Sequence, residues 1–417
     1  MQAKELVKKF LPRFVLSGYH YGLALVGAIL YGFPSRKLTV VGVTGTSGKS
    51  TTVDFITRIL EEAGNKVAST SSIRFKVAEK EWQNNMKMTM PGRFVIQKIL
   101  RQAVDAGCRY AVIEVTSEGI KQFRHKFINF DTAVFLNLTP EHIESHGGFE
   151  NYRNAKIKLF LATSKNHVIN TDDENARYFL DTPAQKRVIF GTGAAVQYSD
   201  ILQNVRVLAR NVNRTDFEVD GVKFHLNLLG SFNVYNALAA ISVARLYNIS
   251  LEVCRKALGK ITGMPGRLDL VTKDPFWVVV DYAFTPEQLE ASYRSLNGRP
   301  LVCVLGSCGG GRDKWKRPVL GKIAGKYCKE IIITNEDPYD EDPWEIIQQV
   351  ETGIEDKERK RHLVLDRKEA IKKAIGLAGA EDTVIITGKG AETRMCLANG
   401  KKIPWDDRQI ARSFLKK

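Results

Sequence analysis

A glycine-rich turn followed by lysine and hydroxyl residues is the stretch best equipped for phosphate chemistry. The turn follows the apolar run 40–43 and precedes the amphipathic run from Val53 to Leu60, an order that predicts strand, loop and helix. Glycines let backbone N–H groups approach phosphate oxygens, a lysine can hold the β- and γ-phosphates, and a hydroxyl can ligate magnesium. The pattern predicts a nucleoside-triphosphate site made by Thr44, Gly45, Thr46, Ser47, Gly48, Lys49, Ser50 and Thr51.

This stretch departs from the general phosphate-loop pattern at one position. Val43 stands where the pattern G-x-x-x-x-G-K-[ST] has its first glycine. The plain alternative is a tight turn in an α/β core. The flanking strand and helix favour the nucleotide site, because a helix that begins near Lys49 adds its positive dipole end.

Further polar residues follow strands predicted in the same α/β region. The apolar strand Tyr110–Val115 carries Glu114 near its end, where α/β sheets bind ligands, so this carboxylate is placed to hold magnesium. A second strand, Thr132–Leu136, leads to His142, and a helix after it carries Lys156 and Lys158. Taken alone, the histidine is equally typical of a surface loop and the lysines of a solvated helix face.

Length, charge and cysteine content narrow the class of protein. A chain of 417 residues suggests two or three domains, and 62 Lys and Arg against 46 Asp and Glu give a net charge of +16. That charge suits polyanionic substrates or an anionic membrane, and the scattered basic residues argue against nucleic acid as a partner. Six cysteines without a C-x-x-C pair predict buried free thiols in a reducing compartment rather than a zinc ribbon or a disulfide framework.

The N-terminal segment, residues 1–37, is basic and then apolar. Residues 14–35 contain no Asp, Glu, Lys or Arg, a length sufficient to span a bilayer. Three alternatives stay open: a helix packed on the following domain, an anchor at the membrane interface, and a true span.

A series of motifs resembles the Mur ligases, the ATP-dependent amino-acid ligases of peptidoglycan precursor synthesis, and most closely the MurE branch that adds the third residue of the stem peptide. The match runs from about Leu38 to Leu415. It rests on these ordered stretches: 42–52, 114–117, 137–142, 151–156, 168–173, 229–236, 263–269, 281–286, 309–318, 366–367, 388–392 and 406–408.

The resemblance implies an α/β protein with two domains after the N-terminal segment. A central ATP-binding P-loop domain with a mostly parallel sheet (38–270) would precede a Rossmann-like C-terminal domain (271–417). In the family, ATP and Mg²⁺ convert the substrate carboxylate to an acyl phosphate, which the incoming amino group attacks. The implied catalytic residues are Lys49, Glu114, His142 and Lys156; the metal ligands would be Ser50, Glu114, His142 and a carbamylated Lys156, and Asn233, Arg267 and Asp281 would contact the nucleotide.

The resemblance also assigns substrate positions, with departures. Those for the muramyl peptide are Thr89, Ser117 and Arg124, although Met90 and Glu118 replace residues usual in MurE. Those for the amino acid are Asp337, Tyr339, Gly388 and Glu392. Tyr339 stands where diaminopimelate-adding enzymes have an arginine, and tyrosine offers no bidentate cation for a carboxylate, so lysine and other amino acids stay open.

The 37 residues before the loop strand predict that the family's UDP-binding N-terminal domain is missing. Either UDP is then held differently, or a partner supplies the UDP site, or the acceptor is lipid-linked and met at the membrane. The MurT-type relatives work on a lipid-linked precursor, but the four-cysteine zinc ribbon that they carry is missing from this sequence, which counts against that alternative. Folylpolyglutamate synthetase and a non-catalytic nucleotide-binding scaffold are further alternatives. The expected location is the cytoplasm, including attachment to the cytoplasmic face of the membrane; the oligomeric state is open.

Overall fold

The first large sheet carries the loop that the sequence singles out. A computed structural model describes residues 13–192, 205–211 and 214–415, so the basic residues Lys4, Lys8 and Lys9 lie outside the described part. Eight strands pair in the order β4-β3-β2-β5-β1-β6-β7-β8. They are β1 (Thr39–Thr44), β2 (Val67–Thr70), β3 (Arg74–Val77), β4 (Lys80–Gln83), β5 (Tyr110–Glu114), β6 (Thr132–Phe135), β7 (Asn166–Asn170) and β8 (Lys186–Phe190).

Six strands of this sheet, from β2 to β8 in the pairing order, run parallel, and β3 and β4 add an antiparallel edge. The helices among them are α1 (Arg13–Leu30), α2 (Lys49–Glu62), α3 (Arg93–Asp105), α4 (Ser117–Lys121), α5 (Ile143–His146), α6 (Phe149–Leu161) and α7 (Ala176–Leu180). Helix α2 covers one face because Phe55, Ile56 and Ile59 recur at helical spacing and are buried. Parallel strands buried on both faces have mostly apolar sequences, as the fully buried β5 does.

A smaller antiparallel sheet and two helices complete this region. The sheet has the order β11-β10-β9, with β9 (Val205–Asn211), β10 (Arg214–Val219) and β11 (Val222–Leu226). The largely buried α8 (Asn233–Leu246) packs against α2, as does α9 (Leu251–Gly259), so one core joins both sheets.

The C-terminal region has its own sheet, in the order β12-β13-β17-β14-β15-β16, with a separate β18-β19 pair. Its strands are β12 (Asp269–Thr272), β13 (Trp277–Val280), β14 (Leu301–Leu305), β15 (Cys328–Thr334), β16 (Lys360–Val364), β17 (Thr383–Ile386), β18 (Arg394–Cys396) and β19 (Lys402–Pro404). Its helices are α10 (Pro286–Ser295), α11 (Lys316–Tyr327), α12 (Pro343–Glu351), α13 (Arg367–Leu377) and α14 (Asp407–Leu415). Apart from β12 the large sheet is parallel, which confirms the α/β class with mostly parallel sheets.

Helix α1 forms within the apolar N-terminal run and packs against α3. A Cβ at Gly27 would lie 3.4 Å from the Arg93 carbonyl oxygen, so the two helices approach closely there. In the described ranges, none of the helices has both the length and the apolar character that crossing a bilayer requires.

The cysteines differ from expectation at one pair. Cys303 and Cys328 form a disulfide, with their Cα atoms 6.0 Å apart, so the prediction of free thiols is wrong for these two. The reason is tertiary: β14 and β15 are neighbouring parallel strands that bring together residues 25 positions apart, which a search for closely spaced cysteines cannot detect. Cys108, Cys254, Cys308 and Cys396 are free.

Candidate active site

The phosphate loop lies between β1 and α2, as its pattern predicts. Gly48 has a positive φ of 79°, and a Cβ there would lie 2.3 Å from Oδ1 of Asn236, so the position requires glycine. The backbone N–H groups of Thr46 and Ser47 donate to Oδ1 of Asn137 at 3.0 and 2.9 Å. The loop is thereby held against the segment that follows β6.

A hydroxyl and a carboxylate meet beside this loop. Ser50 donates from Oγ to Oε2 of Glu114 at 2.7 Å, and the Oγ of Ser72 lies 2.8 Å from the Oγ of Ser50. The pairing of β1 with β5 places Glu114 there, because Val43 and Glu114 are partners in register. These oxygen donors are the kind that magnesium prefers.

Two lysines, the partly exposed Lys49 and the buried Lys156, converge on the same loop. Nζ of Lys49 donates to the carbonyl oxygens of Gly45 and Thr46 at 3.1 and 3.0 Å, and Nζ of Lys156 donates to that of Gly45 at 2.8 Å. Burial lowers the pKa of Lys156 well below its ordinary value, and the nearby charge of Lys49 lowers it further. Burial also lowers the pKa of Lys49, although Glu114 opposes this. The surroundings therefore favour an uncharged amine at Lys156.

His142 lies where the two halves of the protein meet. Burial, with Arg312 and other cations nearby, lowers the pKa of His142 to about 2, so the imidazole is neutral and able to act as a ligand. Its Nδ1 lies 3.3 Å from Nη1 of Arg312. Next to it, Oε1 of Glu141 accepts from Nζ of Lys316 at 3.2 Å, an ion pair buried between the two halves.

Two of the residues predicted to contact the nucleotide, Arg267 and Asp281, lie where the central half passes into the C-terminal half. Arg267 lies 4.2 Å over the ring of Tyr282 and donates from Nη2 to Ser72 Oγ at 3.1 Å. Asp281 is buried and accepts from the backbone N–H groups of Leu268 and Tyr282 at 3.2 and 2.7 Å, so it also fixes the start of the C-terminal half.

Asn233 is buried and donates from Nδ2 to the Leu229 carbonyl oxygen at 2.8 Å. Its Oδ1 accepts from Nδ2 of Asn236 at 3.0 Å, and Asn236 lies on the side of the phosphate loop.

Two of the predicted acceptor residues, Ser117 and Arg124, lie at α4 and just after it. Ser117 begins α4, and its Oγ lies 3.1 Å from Nε2 of His146. Arg124 donates to the Met90 carbonyl oxygen and, from Nη2, to Oε1 of Gln122 at 2.7 Å. Burial lowers the pKa of Arg124, with a smaller contribution from Arg93.

The predicted amino-acid residues surround a compact cluster of charges. Lys389 is buried and donates from Nζ to both Asp337 oxygens at 2.8 Å and to Oε2 of Glu392 at 2.8 Å. Lys87 reaches the same two carboxylates from the P-loop half, with Nζ 2.8 Å from Oδ2 of Asp337. Tyr339 packs against Gly310, where a Cβ would come within 2.6 Å of the ring. The cluster therefore includes a cation that bridges the two halves.

One cavity of about 590 Å³ joins these groups. Every predicted site residue lines it except Thr44, which ends β1 with its side chain in the core, and Asn233, whose place at the wall is taken by Asn236. Several lining residues were given no individual site role from the sequence: Lys87, Glu141, Asn236, Arg312 and Lys316. Arg312 and Lys316 fall in a motif quoted above, whereas Lys87 carries no local signal.

The residues present fit magnesium at one position directly. Ser50 and Glu114 offer oxygen ligands that face the cavity. A second magnesium position, near His142, fits only when Lys156 provides an oxygen ligand, because an amine alone is a poor ligand for a hard cation. Among the described residues there is no group of three or more His, Cys, Asp or Glu side chains that would make a metal site unaided.

A P-loop that faces a second α/β half across a shared cavity is an arrangement suited to a nucleotide-dependent ligase. The family model described as the Mur ligase middle domain matches residues 43–244, and that described as the Mur ligase, glutamate ligase domain matches residues 266–390. A UDP-N-acetylmuramoyl-L-alanyl-D-glutamate–2,6-diaminopimelate ligase from Syntrophomonas wolfei is 36% identical over 403 residues, covering 94% of this chain and 81% of the relative. The chain belongs to the Mur ligase family of ATP-dependent ligases, and its relatives are MurE-type enzymes of peptidoglycan synthesis.

Comparison with solved structures agrees with this family assignment. A UDP-N-acetylmuramoyl-L-alanyl-D-glutamate–2,6-diaminopimelate ligase structure covers 91% of this chain and 78% of its own, with a TM-score of 0.60 and 29% identity. Mycobacterium tuberculosis folylpolyglutamate synthase complexed with ADP superposes with a TM-score of 0.69 and covers 93% of this chain and 95% of its own. At 16% identity the second comparison shows the fold alone.

Proposed function

We propose that this protein joins an amino acid to the free carboxylate of a muramyl-peptide acceptor, with ATP cleaved to ADP and phosphate. In the first step a carboxylate oxygen attacks the γ-phosphorus, ADP leaves, and an acyl phosphate forms. In the second, the amino group attacks the acyl carbon and phosphate leaves, while the amine gives up a proton. The observation that carries this proposal is the convergence of Lys49, Glu114 and Lys156 on one cavity shared by both halves.

Lys156 is proposed to act as a carbamate. Reaction with carbon dioxide requires an uncharged amine, and burial lowers the pKa of Lys156 in that direction. The carbamate would place an anion beside the cation of Lys49, which is an attractive pairing. Its oxygens, with the neutral imidazole of His142, would then complete a magnesium position that the bare amine cannot.

The phosphate groups would be held by this chain's own cations and backbone. Lys49 would follow the charge that develops on the transferring phosphoryl group. Ser50 and Glu114 would hold a magnesium ion, which supplies charge neutralisation between two anions when bound. Arg267 and Asn236 would border the nucleoside, and Asp281 keeps the hinge at Leu268 in place.

The amino acid is proposed to bind between the charge cluster and Arg312, which line the same cavity. Arg312 is a cation on the cavity wall and would hold the α-carboxylate. Tyr339 offers no cation for a second, distal carboxylate, which argues against diaminopimelate and for an amino acid such as lysine. Asp337, Gly388 and Glu392 would surround its side chain, and Thr89, Ser117 and Arg124 would hold the acceptor peptide.

The domain division is proposed near the hinge, with 1–37, 38–270 and 271–417 as the three parts, although β12 already joins the C-terminal sheet at Asp269. The cytoplasm is proposed as the setting of the reaction, including attachment of the protein to the cytoplasmic face of the membrane. Both a UDP-linked and a lipid-linked acceptor suit a cavity that recognises the peptide end.

The test is product formation. Purified protein is incubated with ATP, Mg²⁺, a panel of amino acids including lysine and diaminopimelate, and either UDP-linked or lipid-linked muramyl dipeptide, and products are identified by mass spectrometry. An acceptor extended by one amino acid residue supports the ligase and names both substrates. If neither acceptor is extended with any of the amino acids, the proposed ligase function is wrong.

A further inference from the structure

One line of side chains on α1 is exposed and uncharged along its whole length. Val15, Tyr19, Val26 and Ile29 follow one another at spacings of three, four or seven residues, so they lie on one side of the helix. Ile29 is 60% exposed and Leu30 66%. Among the described residues, six of the thirteen exposed large hydrophobic side chains belong to this helix: Val15, Tyr19, Tyr21, Val26, Ile29 and Leu30.

The opposite side of α1 is firmly attached to the protein. Ala24 and Ala28 are buried, and Gly27 lies against the start of α3. Tyr21 packs edge-on against Phe127, with ring centroids 5.1 Å apart, and against Phe123 at 6.0 Å. The helix therefore presents its outer line, called here the α1 stripe, from a fixed position.

Basic residues border the α1 stripe. The helix carries no acidic residue, and exposed Arg36 and Lys37 follow it in the chain. Lys126 sits next to Phe127, on which Tyr21 packs. In the sequence ahead of the helix stand Lys4, Lys8 and Lys9 against a single acid, Glu5.

We infer that the α1 stripe docks on an anionic lipid surface, with its apolar side chains in the boundary between headgroups and acyl chains. Contiguous exposed apolar surface marks an interaction site, and a basic border selects anionic lipid. A second copy of this chain is a poorer occupant, because a symmetric contact would bring the two basic borders together. The docking itself does not depend on the proposed ligase chemistry, although its suggested purpose rests on the proposed acceptor site.

The position of the stripe gives the docking a purpose. The segment that carries Phe123 and Phe127 also carries Arg124, which lines the cavity at the proposed acceptor end. Docking would turn that end toward the membrane.

The experiment is flotation of the full-length protein with vesicles of phosphatidylcholine alone or mixed with phosphatidylglycerol. The test variant is Val26→Asp/Ile29→Asp, and the control is Leu161→Asp/Leu377→Asp, which places the same charges on exposed apolar positions elsewhere. We expect flotation with the anionic vesicles, weakened by salt and reduced at least about tenfold in the test variant but kept in the control.

Thermal unfolding of both variants checks that the fold is kept. If the test variant is unfolded, the milder Ile29→Asn replaces it, and the same loss of flotation is expected. Three results would overturn the inference: no flotation of the wild type, equal flotation of test and control variants, or a dimer in solution that only the test variant dissociates. Because the assay needs no ligase substrate, its failure is distinct from failure of the proposed reaction.

Discussion

Lys49 and Lys156 donate their amines to the same carbonyl oxygen, that of Gly45, at 3.1 and 2.8 Å. Two cations this close repel, so the charge of Lys49 adds to burial in lowering the pKa of Lys156. The repulsion between the two amines disappears when one of them loses its charge. It becomes an attraction when that amine is converted to an anion. A carbamate on Lys156 meets that need.

Lys156→Ala is expected to lower kcat by at least about 10²–10³-fold, the size seen when one preorganised charge stabiliser is lost. The matched control is Lys158→Ala, on the exposed side of the same helix, which should retain wild-type activity. Short carboxylic acids such as formate should partly restore the activity of the alanine variant. Equal activity in both variants would contradict the assignment.

Activity is also expected to depend on carbon dioxide and pH. A protonated amine cannot form a carbamate, so activity should fall as the pH drops through the lowered pKa of Lys156, and added bicarbonate should restore it. The measurement is initial rate against pH in degassed buffer with and without bicarbonate. A profile that bicarbonate leaves unchanged would count against the carbamate.

Ser50→Ala should weaken magnesium binding by about 10–100-fold, because the hydroxyl both faces the ion position and bonds to Oε2 of Glu114. The measurement is ATP turnover as a function of Mg²⁺ concentration. Ser295→Ala, which removes a hydroxyl bonded to a helix carbonyl at Ala291, is the control. Identical magnesium curves for the two variants would rule out the proposed ligand.

Lys87→Met should change which amino acid is preferred. Lys87 shares Asp337 and Glu392 with Lys389, so its removal frees negative charge in the pocket. We expect the ratio of kcat/KM for lysine over that for a neutral amino acid to rise about tenfold, which corresponds to about 1.4 kcal/mol. The ratio cancels any general loss from a looser cleft, and Lys80→Met, an exposed lysine of β4, should leave it unchanged.

Asp407→Ala should lower the free energy of unfolding of the C-terminal half by about 3–5 kcal/mol, because it leaves Arg367 buried and unpaired. The two side chains are fully buried and joined at 2.7 and 3.0 Å. Urea unfolding followed by the fluorescence of Trp405, whose Nε1 also bonds to Asp407, reports the change. Arg367→Met/Asp407→Leu should recover most of the loss, and Glu355→Ala, from an exposed pair, should change little.

The sequence indicated much of this fold because its signals are local. The order of apolar run, Gly48-Lys49-Ser50 and amphipathic helix is typical of a strand–loop–helix unit, and the structure contains it. Arg367 and Asp407 show the limit of motif reading. The stretches that hold them resemble the family, yet their pairing is structural and appears only in three dimensions.

Other features depend on contacts between distant parts of the chain. Lys87 approaches Asp337 across 250 positions, and no spacing rule connects them. The Cys303–Cys328 bond depends on which strands are neighbours in the sheet. Asn236 lines the cavity in place of the predicted Asn233, about one helical turn away. A motif match does not show which of two residues one turn apart faces a cavity.

The most direct test of the central claim is phosphate release by the purified protein in the presence of ATP, Mg²⁺, muramyl-dipeptide acceptor and amino acid, with each substrate omitted in turn. We predict rapid release only when both acceptor and amino acid are present, its loss in Lys156→Ala, and its retention in Lys158→Ala. Release that needs neither substrate, or that survives in Lys156→Ala, would contradict the ligase mechanism proposed for this site.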